Sequence, residues 1–224
     1  MEQNTNTNIK QIMVSAGIAL FFMAVLVGGI LVIDNVKKTG ANAGASPNPS
    51  TDDMSSMHAP PPPADNSKFQ SLMGNHAPDF KLTSYDGREV NLSDYKDKNI
   101  VLFFSEGAMC YPSCWDQVNS FTNDSGFSKE NSVVLTIVVD PKADWDGVIK
   151  QDPKIAKATV LLDTDKSVSK SYGVLTVDSS MHRGNFPGHT YIVIDKDGIV
   201  RYEKDDPNMG INNKELLADI LRLQ

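Results

Sequence analysis

Residues 99–118 read NIVLFFSEGAMCYPSCWDQV, an apolar run that passes into a helix-forming one across the chain's only two cysteines, Cys110 and Cys114. Asn99–Phe104 is short, β-branched and aromatic, which predicts a buried central strand. Residues 112–121 have helical composition with a proline near the first position. The cysteine pair therefore falls at a strand-to-helix corner. Backbone N–H groups in the first turn of a helix have no internal partner and carry a partial positive charge, which favours a thiolate over a thiol. That environment draws a cysteine pKa from about 8.5 toward roughly 3.5 to 7.5.

The spacing points to chemistry between the two sulfurs. Residues four apart on a helix share a face, with alpha carbons about 6 Å apart, inside the range a disulfide bridges. Closing so short a loop removes little chain entropy, about 2 kcal/mol, so such a bridge is a poor structural staple and a better reversible redox couple. The competing reading is a pair of buried, inert core thiols.

On either side of the corner the pattern alternates between strands and helices. Residues 79–92 alternate apolar and polar around Asp86-Gly87, a hairpin signal. Residues 132–139 and 158–162 predict further strands, 145–151 and 168–172 short helices, and 191–194 with 199–202 a second hairpin through Asp197-Gly198. Residues 213–223 predict an amphipathic helix with Leu216, Leu217, Ile220 and Leu221 on one side. The order predicts an α/β domain, a central mixed sheet covered by helices on both faces, over residues 73–224.

The amino-terminal part reads differently. Residues 1–11 are a polar tail, and residues 12–33 hold no charged side chain. At about 1.5 Å per residue that run reaches roughly 33 Å, enough for a hydrocarbon core of roughly 30 Å, and it reads as a retained membrane anchor rather than a cleaved signal. Residues 34–72 are rich in Ala, Ser, Asn and Pro and read as an extended, disordered spacer. Lys10 before the span and Lys37 with Lys38 after it leave orientation nearly balanced. An extracytoplasmic domain is expected because a tethered redox module is most useful where soluble thiol buffers are absent. A net charge of −7 without a basic stripe excludes a nucleic-acid partner.

Three runs carry a family resemblance. APDFKLTSYDGREVNLSDYKDKNIVLFFS (residues 77–105), LLDTDKSVSKSYGV (161–174) and PGHTYIVIDKDGIVRY (187–202) resemble the opening, middle helix and closing hairpin of peroxiredoxin-like redoxin domains of the AhpC/TSA type, in the thioredoxin superfamily. The resemblance implies a thioredoxin-like fold, no cofactor, and a protein disulfide or dithiol, or a small peroxide, as reaction partner. The chain departs from the peroxiredoxin signature Pro-x-x-x-Thr/Ser-x-x-Cys. It reads Glu106, Gly107, Ala108, Met109, Cys110, Tyr111, Pro112, Ser113, Cys114, so the expected activity is thiol-disulfide exchange by a Cys-x-x-x-Cys dithiol, with antioxidant peroxidase activity left open. The pair is also similar to the dithiol of membrane-tethered TlpA-like reductases, widened by one residue. On that likeness Cys110, ahead of the helix, attacks as thiolate and Cys114 resolves.

Supporting roles are expected for four more residues. Pro187 precedes the closing strand, where thioredoxin-like folds place a cis proline beside the cysteines. His189 is placed to tune a thiolate or accept a proton, Glu106 to relay protons, and Trp115 to pack against the sheet. A second function stays open. Cys110, Cys114 and His189 are similar to the copper site of Sco-type assembly proteins, which implies a copper chaperone, although Trp115 stands where those proteins usually carry proline and His189 lies only six residues before Asp195.

Overall fold

The computed structural model describes residues 61–223. The tail at 1–11, the apolar run at 12–33 and most of the spacer lie outside them. Among the described residues no helix is long and apolar enough to cross a membrane.

The elements follow the expected order. They are helix α1 (Ser67–Gln70), strands β1 (Lys81–Ser84), β2 (Glu89–Asn91) and β3 (Asn99–Phe104), helices α2 (Ser113–Asn123) and α3 (Gly126–Lys129), strand β4 (Ser132–Val138), helix α4 (Lys142–Gln151), strand β5 (Val160–Leu162), helix α5 (Ser167–Ser171), strands β6 (Thr190–Ile194) and β7 (Val200–Asp205), and helix α6 (Asn213–Leu221). A seven-stranded sheet runs in the order β2-β1-β5-β4-β3-β6-β7. β3, β4 and β5 are parallel, while β1, β6 and β7 pair antiparallel, so the sheet is mixed as expected. The β1-β2 hairpin turns at Gly87, whose φ of 89° is the left-handed conformation glycine adopts without a Cβ penalty.

β3 is buried along its whole length, and its side chains alternate between two cores. Ile100, Leu102 and Phe104 face one, with Phe69, Leu72 and Tyr172. Val101 and Phe103 face the other, with both cysteines, Val118 of α2, Trp145 of α4 and Ile220 of α6. Helices on both faces explain why the parallel strands read as continuous apolar runs rather than alternating ones.

Three boundaries differ from expectation. Packing begins before residue 73, because Phe69 and Leu72 are core residues at 2% and 7% exposure. α4 starts at Lys142, where the polar first turn hid the amphipathic pattern that Trp145 and Val148 anchor. On α6, Leu216 and Ile220 are buried but Leu221 is 53% exposed, since it lies off the stripe that faces the sheet.

Candidate active site

The site lies at the C-terminal end of β3 and β4, where the N-terminal end of antiparallel β6 meets them. Past Phe104 the chain makes one 3-10 turn, Gly107–Met109, and Cys110 closes it by donating its N–H to the Gly107 carbonyl at 3.2 Å. Cys114 is the second residue of α2, and its N–H reaches the Cys110 carbonyl at 3.0 Å. Cys110 and Cys114 are joined by a disulfide, with alpha carbons 5.4 Å apart. The pair thus meets as the spacing predicts, but Cys110 lies outside the helix and only Cys114 lies in its first turn. Both are covered, at 4% and 2% exposure, while their chain neighbours Met109, Tyr111 and Pro112 are exposed.

Gly107 and Asp140 set the shape of the corner. Gly107 has a φ of +64°, and a Cβ there would meet Asp140 Oδ2 at 1.7 Å, so any side chain would strain the backbone and displace the Asp140 carboxylate. Asp140 follows β4, is 5% exposed, and accepts the Ala108 N–H on Oδ1 at 3.1 Å. Its Oδ2 is buried without a hydrogen-bond partner among the described residues. Burial pushes this carboxyl up to about 6, against the lowering effect of the Ala108 hydrogen bond.

His189 is brought to the sulfurs as expected. It is 1% exposed, and its Nδ1 lies 3.4 Å from Cys114 Sγ. Its Nε2 lies 2.7 Å from the Tyr191 hydroxyl, and its ring meets the edge of Phe103 at 4.8 Å between centroids. Burial pulls the imidazole down to about 4, partly opposed by Asp206. Behind it, Tyr191 lies 2.9 Å from Gln117 Oε1. Trp115 packs within the helix-side core, 5% exposed, its ring 5.1 Å from that of Tyr111, in keeping with its expected structural role.

Two expected roles change. Pro187 is buried just ahead of β6, but the cis bond found among the described residues is Tyr111-Pro112, inside the Cys-x-x-x-Cys loop, and the bond before Pro187 is trans. Glu106 is buried at 1% exposure, where a loop carboxylate is ordinarily solvated. It accepts the Met181 and His182 N–H groups at 2.6 and 2.9 Å and pairs with His182 Nδ1 at 3.1 Å. These contacts fasten the 181–182 loop, and none of its hydrogen bonds reaches a cysteine. His182, given no role by the sequence, is thereby its partner.

Sequence reasoning missed Asp140, Gln117 and Tyr191. Each had a signal. Asp140 is the acidic residue just past a buried strand parallel to β3, Gln117 lies one helical turn beyond Cys114, and Tyr191 lies two positions beyond His189 on the same face.

A model described as "AhpC/TSA family" matches residues 73–203. The chain belongs to the AhpC/TSA family. Among its relatives, the chloroplastic 2-Cys peroxiredoxin BAS1 of Spinacia oleracea is 32% identical over 150 residues, covering 62% of this chain and 54% of that protein. Peroxiredoxin-2 of Pongo abelii is 33% identical over 139 residues, covering 58% and 75%. The chain thus spans about half the length of the first of these, at 54%. Among solved structures, the reduced 2-Cys peroxiredoxin of Plasmodium vivax superposes with a TM-score of 0.57 at 26% identity, over 66% of this chain and 80% of that one. The peroxidoxin BcpB of Mycobacterium tuberculosis, 22% identical with a TM-score of 0.58 over 68% and 98%, shares the fold.

The potential ligand atoms of Cys110, Cys114 and His189 all lie within 4.8 Å of one another, the one group of metal-competent side chains found among the described residues. With the disulfide closed both sulfurs are already committed to each other. The AhpC/TSA relatives are named as peroxiredoxins and lend no support to copper delivery.

Proposed function

We propose that this AhpC/TSA chain is a thiol-dependent oxidoreductase that cycles Cys110 and Cys114 between disulfide and dithiol. The observation that carries the reading is the Cys110-Cys114 bridge itself, closed over so short a loop that its constraint on folding is small, at the strand-to-helix corner of this fold. Two cysteines supply two electrons, so the cycle needs no cofactor. Cys110, ahead of the helix, is the attacking sulfur, and Cys114, against His189, resolves the mixed disulfide. Trp115 supports the site by packing, Glu106 by holding the 181–182 loop, and Pro187 as the buried residue just ahead of β6.

The reaction partner is a protein disulfide or dithiol, or a small peroxide, the latter supported by the names of the peroxiredoxin relatives. The uncharged run at 12–33 supports tethering by a single helix, with the spacer expected at 34–72 giving way to packed structure at Phe69, and the redoxin domain extracytoplasmic. Protease protection in intact cells tests the last point, and a domain shielded from external protease under every condition overturns it.

The chemistry is tested on the full chain by following consumption of a protein disulfide and of hydrogen peroxide. Turnover that is lost in Cys110→Ser and in Cys114→Ser is expected. Absence of both turnovers, with one copper retained per reduced chain and lost in His189→Ala, overturns the reading in favour of metal carriage.

A further inference from the structure

The ring nitrogen of His189 that carries its proton is fixed by a run of hydrogen bonds anchored on the main chain of α2. Asn213 gives its Nδ2 hydrogens to the Ser120 carbonyl at 3.1 Å and to the Asp124 carboxylate at 3.0 Å. Its Oδ1 is therefore the acceptor that Gln117 Nε2 meets at 2.8 Å. That orientation turns Gln117 Oε1 to the Asn212 N–H at 2.8 Å and to the Tyr191 hydroxyl at 2.9 Å. The other neighbour of the hydroxyl, the Gly210 carbonyl at 3.1 Å, is also an acceptor only. A phenol has one proton, so whichever of these oxygens takes it, Tyr191 presents a lone pair to His189. Burial raises the phenol's pKa, keeping it protonated, and keeps the imidazole neutral. Nε2 then holds the ring proton and donates it across the 2.7 Å contact to Tyr191. Nδ1 is left as a bare acceptor, 3.4 Å from Cys114 Sγ.

We propose that His189 Nδ1 takes the proton of the Cys114 thiol when that thiol closes the disulfide, and that Tyr191, Gln117 and Asn213 are positioning residues that hold the ring in the tautomer this requires. The inference rests on the thiol-disulfide reading above. With a partner held on Cys110 as a mixed disulfide, the Cys114 S–H proton passes to Nδ1 and the sulfur's electron pair forms the bond to Cys110 Sγ. The bond from Cys110 to the partner sulfur breaks, its electron pair leaves on that sulfur, and the partner thiolate takes the proton back from Nδ1. Both cysteines end oxidised, and the partner disulfide ends reduced to two thiols. The surroundings that disfavour an isolated imidazolium strengthen its attraction to a thiolate at this distance, so the ion pair needed in transit is accessible only in the reduced chain. Charged groups acting on the ring are Asp206, which favours its protonation, and Lys204, which opposes it.

Two measurements on the full-length chain decide the matter. Nitrogen NMR of the imidazole rings in the oxidised protein should show His189 protonated on Nε2 and bare on Nδ1, and a ring protonated on Nδ1 overturns the proposal. In a Cys110→Ser background, the pH profile for alkylation of Cys114 reports its thiolate. His189→Asn should move that profile to higher pH and slow the reaction near neutrality by about 10-fold or more. An unchanged profile overturns the proposal. Tyr191→Phe is the independent variant. It removes the oxygen that accepts the Nε2 proton, so the Nδ1-protonated ring should appear in the NMR spectrum, and a tautomer that does not respond overturns the positioning role. A wild-type chain with the expected tautomer and profile but no disulfide or peroxide turnover sinks the functional reading while leaving this one standing.

Discussion

Gly107 and Asp140 press against each other in the turn that leads from β3 to Cys110. A methyl group at Gly107 would overlap Asp140 Oδ2 while holding a left-handed φ. Gly107→Ala is therefore expected to lower stability by about 2 to 4 kcal/mol, combining backbone strain with displacement of a buried carboxylate. Urea denaturation reads the loss. If the overlap is the cause, Asp140→Ala in the same chain should recover part of it, leaving the smaller cost of the backbone conformation alone. Full additivity of the two substitutions would show that Gly107 and Asp140 are not coupled.

Among the connecting segments, the 181–182 loop is tied to the chain just past β3 by the Glu106 side chain. Glu106 takes two backbone N–H groups there, and removing it leaves both without the acceptor they have now. Glu106→Ala should cost about 1 to 3 kcal/mol, the cost of two N–H groups that lose their acceptor. The specific readout is hydrogen exchange. The Met181 and His182 amides should exchange faster than the global loss of stability accounts for, whereas Val101 and Leu102 in β3 should follow that global loss alone. Equal acceleration everywhere would mean that Glu106 acts on the whole fold and not on this loop.

The same elements show what the sequence made legible. Asp86-Gly87 marked the first hairpin, and NIVLFF marked a strand whose six residues are all buried, because turn chemistry and apolar runs are local signals. The cysteine corner was legible for the same reason. The environment of the corner was not. Tyr191 reaches the site because antiparallel register sets it opposite Phe103, and Gln117 because α2 lies over that face, both consequences of packing between elements far apart in the chain. Family likeness implied a cis bond at Pro187, and among the described residues it lies instead at Pro112, within the loop where this chain departs from the peroxiredoxin signature. Glu106 was expected to relay protons because nothing nearby in sequence reveals that its carboxylate is taken up by the N–H groups of residues 181–182.

For the molecule as a whole, Asp140 and His189 make opposing contributions to stability as pH changes. Asp140 has a folded pKa raised from 3.8 to about 6, so the folded state holds its proton more tightly than the unfolded chain does. The stability this confers is fully present below about pH 4 and is lost as pH rises through about 6. His189 has a folded pKa lowered from 6.5 to about 4, so its contribution is present above about pH 6.5 and is lost as pH falls through about 4. At about 1.4 kcal/mol per pH unit each effect amounts to about 3 kcal/mol, and over the shared window from about pH 4 to 6 they largely cancel. Removing either group unmasks the other. Relative to wild type, Asp140→Asn should be favoured by about 3 kcal/mol more at pH 7 than at pH 4, once a constant offset for its unpartnered amide is subtracted. His189→Gln should show the opposite slope, gaining on wild type by about as much when pH falls from 7 to 4. Denaturant midpoints across that range, measured for the three chains with the disulfide intact, give the slopes directly. Parallel curves for all three would mean that neither group titrates differently in the folded and unfolded states, and the burial of both would then carry no electrostatic consequence.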